Sequence, residues 1–387
     1  MVKTVAHSID AYMGLSQTFI YEYLTHASAF RPLVFTDRIQ NRDAFPFQPI
    51  IAAEGVSRYS WWWLVNGLSY RAQPDQFFEH WLFFAHKAKQ HHVSLIHAHF
   101  GPAGVKMILL KEKLGVPLVT TFYGFDVSRL PQDQRWRDRY LTLFERGDLF
   151  LVEGPFMQQA LEQLGCPPEK IAIQRIGIDL SRYPFRLRSF QLKNEKLVLL
   201  FCGRFTEKKG LLVALHAYQN IARYYPNSEF RIIGDGEQRD EVTAFIQRAG
   251  LSRKVILTGS LSHSACLQEM ERAHILLQPS QLARDGDSEG GAPTVLLEAQ
   301  ALGLPVMTTT HADIPHCLPP DYVPFLAAEG DVAGLVRNFQ RLLEDQRLCR
   351  QLAVEGRAFV MKNHDINMLA AQLESRYERL LSGGAAD

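Results

Sequence analysis

The sequence predicts an α/β protein made of two successive doubly wound halves. Three observations carry this. Short apolar strands alternate with helical segments from the first residues onward; the alternation breaks at a polar stretch, Ser189 to Lys196; it then restarts with the wholly apolar strand Leu197 to Cys202. A chain of 387 residues with 47% hydrophobic content can bury a large core and exceeds the usual size of one domain. The expected boundaries are 1–188 and 189–365, with 189–196 as the linker.

In the first half, Val2 to Ile9 reads as a strand, Gly14 and Ser16 open a helix through Phe19, Ile20, Tyr23 and Leu24, and Pro32 to Thr36 is a second strand. Strand, glycine turn, helix, strand is a parallel βαβ unit. Gly14 thereby falls at the carboxyl end of the first strand, where open α/β sheets place their ligands. Phe77 to Lys89 reads as helix, and Val93 to Ala98 as a strand followed by the turn His99-Phe-Gly-Pro. Pro117 to Phe122 is a strand ending in Tyr123-Gly-Phe-Asp126, and Asp148 to Val152 is another. His99, Tyr123 and Asp126 are candidates to converge on one cleft with Gly14, against the plainer reading that each is a structural turn residue. Lys170 to Tyr183 is the expected exit from this half.

In the second half, Gly203-Arg204-Phe-Thr-Glu-Lys-Lys209-Gly210 is a turn after the strand, and Leu211 to Tyr224 has apolar residues at helical spacing. Phe230 to Ile233 with Gly234-Asp-Gly236, Val255 to Thr258, Ile275 to Leu277 and Val306 to Thr309 supply four more strands. Between them, Glu289 and Glu298 bracket Gly290, Gly291, Ala292, Pro293 and Thr294, ahead of the apolar run Val295 to Leu297. This is a loop feeding a helix N-terminus. Proline suits the first turn, the glycines admit a ligand close to the backbone, and free N–H groups at the positive end of the helix dipole favour an anion. Arg204 and Lys209, at the carboxyl end of a buried strand in the same half, supply the fork and the point charge that a diphosphate needs. Gly234 is a further candidate for close backbone approach to a nucleotide.

A formal net charge of +1 gives no reason to expect nucleic acid. Five cysteines without a Cys-x-x-Cys pair read as buried residues or free thiols, with no structural zinc. The N-terminus lacks a signal-peptide pattern and no charge-free apolar stretch is long enough to span a bilayer, so a cytoplasmic protein is expected. Trp61, Trp62 and Trp63 read as core packing or a loop over an acceptor cleft, with membrane-interface contact as the alternative.

Gly203 to Gly210, Ile233-Gly-Asp-Gly-Glu237, Glu289 to Ala299 and Gly303-Leu-Pro-Val resemble the motifs of family 4 retaining glycosyltransferases, in the same order. His97-Ala-His-Phe-Gly-Pro102, Thr121 to Asp126 and Arg175-Ile-Gly-Ile-Asp179 further resemble the branch that builds exopolysaccharides of the colanic-acid or amylovoran kind. The resemblance implies the GT-B architecture: two facing Rossmann-like domains, donor nucleotide sugar on the second, acceptor on the first, and a final helix crossing back to the first. The stripe Ile366, Leu369, Ala370, Leu373, Tyr377, Leu380 and Leu381 fits that helix, 366–382, with Glu374, Arg376, Glu378 and Arg379 largely off it.

By the same resemblance, Arg204 and Lys209 bind the donor diphosphate, Glu298 the ribose hydroxyls and Glu289 the sugar, with no metal and no cofactor. Retention then proceeds by front-face attack, the leaving phosphate accepting the acceptor's proton. A UDP-sugar is the first expectation and a GDP-sugar the next. The acceptor class is a glycan or lipid-linked oligosaccharide, which adds peripheral attachment at the cytoplasmic face of the inner membrane. Two departures stand out: Glu289 and Glu298 are one residue further apart than is usual in the family, and Tyr123 stands where many members carry histidine. Rival readings are an Asp285-Gly-Asp287 metal motif, a nucleotide-sugar epimerase or phosphorylase on the same frame, and a non-catalytic nucleotide-sugar-binding relative.

Overall fold

The computed structural model describes residues 2–54, 80–188 and 196–383. Trp61 to Trp63, the linker 189–195 and the start of the helix expected from Phe77 lie outside the described residues. The chain divides into two compact units, Met1–Gly177 with Ile366–Asp387, and Ile178–Asp365.

In the first unit β1 (Thr4–Tyr12), β2 (Arg31–Ile39), β3 (Ile50–Ala52), β4 (Val93–His99), β5 (Leu118–Thr121), β6 (Leu149–Val152) and β7 (Ile171–Ile173) form a seven-stranded sheet in the order β3-β2-β1-β4-β5-β6-β7. All its pairings are parallel. The connections carry α1 (Thr18–His26), α2 (Trp81–Gln90), α3 (Gly101–Leu114), α4 (Gln134–Arg146) and α5 (Pro155–Gln163). Central strands covered on both faces favour apolar or small residues along their length, and β5 and β6 are buried throughout.

The second unit repeats the scheme with β8 (Leu197–Cys202), α6 (Leu211–Tyr224), β9 (Ser228–Ile233), α7 (Arg239–Arg248), β10 (Val255–Gly259), α8 (His263–Arg272), β11 (Ile275–Leu277), α9 (Thr294–Ala301), β12 (Val306–Met307), α10 (Val332–Glu344) and α11 (Gln346–Asn363). Its parallel sheet runs β10-β9-β8-β11-β12. Strand order therefore reverses at β1/β4 in one sheet and at β8/β11 in the other, and the carboxyl ends of such neighbours are where open α/β sheets bind ligands.

The last helix, α12 (Ile366–Leu381), belongs to the first unit. Ile366, Leu369, Ala370, Leu373 and Tyr377 pack against Val5, Leu95, Val119, Leu149 and Leu151 of the sheet. Two charged residues expected off this stripe, Glu374 and Arg376, are buried instead. Glu374 Oε1 accepts the backbone N–H groups of Ser28, Ala29 and Phe30 at 2.9, 2.8 and 2.9 Å, and Arg376 Nη2 donates to Ile173 O at 3.1 Å.

Residues 178–188, expected in the first half, pack with the second unit. Arg188 donates to the carbonyls of Met270, Ala273 and Leu302, and Arg186 N donates to Leu302 O. Polar composition marks where the chain leaves a fold, but the partners of these arginines decide which unit holds it. Among the described residues no helix is long and apolar enough to cross a membrane.

Candidate active site

The loops leaving β8 and β11 meet at the switch point of the second sheet through Gly210, and the loop leaving β9 closes on the β8 turn through Gly234. Gly210 has φ +68° and a Cβ there would overlap the Pro279 carbonyl; Gly234 has φ +128° and a Cβ there would overlap the carbonyl of Gly203. The close approach at Gly234 is thus to the neighbouring strand's turn. A donor-binding role for its backbone is not what demands glycine.

With the loops in register, Lys209 Nζ lies 2.8 Å from Glu289 Oε2, and Ser280 Oγ donates to Glu289 Oε1 at 2.8 Å. Glu289 is buried. Burial alone would raise its pKa, but Lys209 and Lys208, with the hydrogen bonds from Lys209 and Ser280, hold it below the ordinary carboxylate value. Each carboxylate oxygen retains acceptor capacity for a ligand hydroxyl. The backbone of Glu289 is fixed too: its N–H donates to His311 Nε2 at 3.1 Å, so His311 carries its proton on Nδ1 and donates to Glu329 Oε1 at 2.7 Å. Lys208 is buried and bonds Asp287 Oδ1 and Ser288 O, both at 3.0 Å. Asp287 is therefore the counter-ion of Lys208, and Asp285 Oδ1 accepts Asp287 N. Arg204 is exposed, and its guanidinium makes no hydrogen bond or ion pair among the described residues.

Pro293 is the N-cap of α9 and Thr294 its first residue, one position later than expected. Gly290 has φ +72° and its N–H donates to Ser288 Oγ. Gly291 and Pro293 are buried, Ala292 and Thr294 partly so. In the first helical turn the Leu296 N–H donates back to Pro293 O at 2.9 Å, while the N–H groups that open a helix have no partner within it and face along its axis. Glu298, one turn into α9, is buried; its Oε1 accepts from Tyr183 Oη and His263 Nε2, both at 3.1 Å.

The candidates of the first unit behave differently. Gly14 follows β1, and its N–H is taken by Gln17 Oε1 at 2.7 Å. His99 is the last residue of β4 and is buried, with Nδ1 2.8 Å from Tyr123 Oη and Nε2 3.0 Å from His7 Nδ1. His97 lies between Tyr377 Oη and Thr121 Oγ1, each at 2.6 Å. One nitrogen from each of His7, His97 and His99 lies within 4.8 Å of the others, a donor set of a kind that binds divalent metals, yet both nitrogens of His97 and of His99 already have partners. Burial lowers the pKa of all three imidazoles, that of His7 to about 3.

Asp126, expected on the acceptor side, is fully buried and holds backbone: Oδ2 accepts Gly101 N at 2.9 Å, and Oδ1 accepts Tyr123 N and Gly124 N, both at 3.0 Å. It caps α3 and ties two turns, so its placement is structural; burial raises its pKa to about 6 against the pull of those N–H groups. The site thus gathers Arg204, Lys209, Glu289, Glu298 and the 290–294 loop in one unit, and separately groups His99 with Tyr123 in the other. Tyr183, Lys208, His263, Ser280 and His311 went unforeseen, because each is a lone polar residue whose partner is distant in sequence.

Two parallel doubly wound units, the second with a cation pair and a glycine-rich helix N-terminus at its switch point, have the architecture of the GT-B fold. The chain belongs to family 4 of the glycosyltransferases: residues 185–359 match the model described as glycosyl transferases group 1, and residues 42–182 match that described as glycosyltransferase family 4. It is 33% identical to the amylovoran biosynthesis glycosyltransferase AmsK of Erwinia amylovora, over 73% of this chain and 69% of that one. It is 35% identical to a Salmonella typhimurium protein described as the colanic acid biosynthesis glycosyltransferase WcaL, over 65% of this chain and 61% of the relative's length. Among solved structures it resembles Anabaena HepE in complex with UDP and glucose, with a TM-score of 0.78 and 17% identity over 96% of this chain and 98% of that one.

Proposed function

We propose that the protein is a retaining, metal-independent hexosyltransferase of bacterial exopolysaccharide synthesis. It moves a sugar from a nucleotide sugar, UDP-linked before GDP-linked, to a glycan or lipid-linked oligosaccharide acceptor at the cytoplasmic face of the inner membrane. The observation that carries this reading is Arg204, an exposed guanidinium without a partner among the described residues, in the turn that also holds Lys209. AmsK and WcaL support the pathway class, and HepE, crystallised with UDP and glucose, supports the nucleotide.

Breaking the anomeric C–O bond builds negative charge on the leaving diphosphate and positive character on the sugar. Arg204, Lys209 and the N-terminal turn of α9 stabilise the first in place of a metal ion. Glu289, kept anionic by Lys209, stabilises the second and orients the sugar. The acceptor attacks from the leaving-group face and its proton passes to a phosphate oxygen, so no side chain need act as base. Glu298 holds the ribose. Expected outcome: in a thermal-shift panel with excess chelator, UDP-sugars raise Tm, since ligand at 100 times Kd adds about 2.7 kcal/mol. A panel in which no nucleotide sugar shifts Tm, or shifts it only with divalent metal, overturns the reading. Product formed without any sugar acceptor would favour an epimerase.

A further inference from the structure

Glu298 has two oxygens and the fold engages only one. Tyr183 Oη and His263 Nε2 both point at Oε1, each at 3.1 Å, while Oε2 makes no hydrogen bond among the described residues. The two donors come from different segments, Tyr183 from residues 178–188 and His263 from the first turn of α8, and lie 3.3 Å from each other on the same oxygen. Tyr183 is buried and its carbonyl is anchored in turn by Arg357 Nη1 at 2.9 Å. A carboxylate fixed at one oxygen by a rigid phenol and an imidazole cannot rotate, and so presents its other oxygen in one direction.

We propose that His263 is a positioning residue that orients Glu298 toward the hydroxyls of a ribose, and so makes the site selective for ribonucleotides over deoxyribonucleotides. This rests on the assignment of Glu298 to the ribose. A sugar diol is two donors, and an open carboxylate oxygen with no partner of its own is the acceptor that rewards both. Without the imidazole, the carboxylate must be ordered by the ligand itself, and affinity falls by that ordering cost.

The groups facing His263 are Glu298 on α9, Tyr183 and Arg182 on the 178–188 segment, and Cys266 one turn along α8; Arg182 is itself paired with Asp179 at 3.0 Å. The hydrogen bond with Glu298, ahead of the opposing burial, raises the pKa of His263 above its ordinary value. The imidazolium grips Glu298 more strongly than the neutral ring does, so selectivity is greatest below that raised pKa and declines as pH rises through it.

The test compares binding of UDP and 2′,3′-dideoxy-UDP, or the GDP pair if the thermal panel selects guanine, by calorimetry across pH 5.5–8.5. The ribo-over-dideoxy ratio is expected to exceed tenfold in the parent protein and to vanish in Glu298→Ala. It should fall about tenfold in His263→Leu, recover in His263→Gln, and lose its pH dependence in His263→Gln. If Glu298→Ala erases the ratio while His263→Leu keeps it, or if the parent ratio is flat with pH, the role of His263 is overturned and the ribose assignment stands. If Glu298→Ala leaves the ratio intact, the ribose assignment itself has failed. Should His263→Leu not fold, the parent pH profile and His263→Gln still decide the matter.

Discussion

At the carboxyl end of β5 in the first unit, Asp126 is buried with three backbone N–H groups upon it; at the carboxyl end of β8 in the second, the Arg204 guanidinium is exposed with no partner among the described residues. The histidines divide in the same way. His7, His97 and His99 are enclosed and kept neutral, whereas His263 sits at the surface of a carboxylate that favours its charge. Polar groups at equivalent places in two similar sheets therefore do different work. Those of the first unit are tied to one another and determine its stability, and those of the second are left with capacity for a ligand.

Acid should break this comparison most forcefully. The three buried imidazoles of the first unit have folded pKa values below that of the unfolded chain, so their stability is present above roughly pH 6.5 and lost as pH falls through it. Three such groups cost about 4 kcal/mol at roughly one pH unit below that point. His263, with its pKa raised, acts in the opposite sense: its contribution is present below the ordinary histidine value and lost as pH rises through the folded one. Amide exchange followed by unit at pH 7.5 and 5.5 should show protection lost first in β1, β4 and β5; equal loss in both units would refute the division.

Asp126→Ala comes next. It strands three backbone N–H groups, two of them in buried glycines, and should lower stability by about 3 kcal/mol in denaturant titration, with nucleotide affinity unchanged at temperatures where the protein is folded. Arg204→Ala should do the reverse, lowering turnover by about 10² or more, some 2.7 kcal/mol, at an unchanged Tm. Lys209→Ala should lower turnover as much but also lower Tm, since it leaves Glu289 buried without its cation. A fall in Tm for Arg204→Ala would blur the contrast. The smallest effect is expected for Glu298→Gln: KM for the donor rises about tenfold with little change in kcat, because ribose contacts are alike in ground and transition states.

The repeated strand, turn and helix were legible because buried parallel strands are continuous apolar runs; Leu197–Cys202, Leu211–Tyr224 and Ile275–Leu277 fall where periodicity puts them. Ile50–Ala52 and Ile171–Ile173 were not: both are short strands at the sheet edges, and neither is buried throughout as Ile275–Leu277 is. Of the second unit's candidates, Lys209 and Glu289, spaced far apart in the sequence, meet at 2.8 Å in the structure. Asp126 misled because a Gly-Phe-Asp turn reads alike whether its carboxylate faces solvent or caps α3. Tyr183 and His263 were invisible for a related reason: they acquire meaning only where separate segments bring them onto one oxygen of Glu298.

The first unit is closed by α12, and the order of synthesis gives that closure a consequence. Strands β1, β4, β5 and β6 leave the ribosome early, but the helix that covers Leu95, Val119, Leu149 and Leu151 is made only after the whole of Ile178–Asp365. The second unit is one continuous stretch and needs nothing that follows it. The usual order, in which the N-terminal domain folds first, is therefore inverted. Throughout translation of the second unit the nascent chain carries an aliphatic sheet face that only Tyr23 and Phe30 flank until α12 is made, a surface that chaperones recognise and that joins other chains if left unattended.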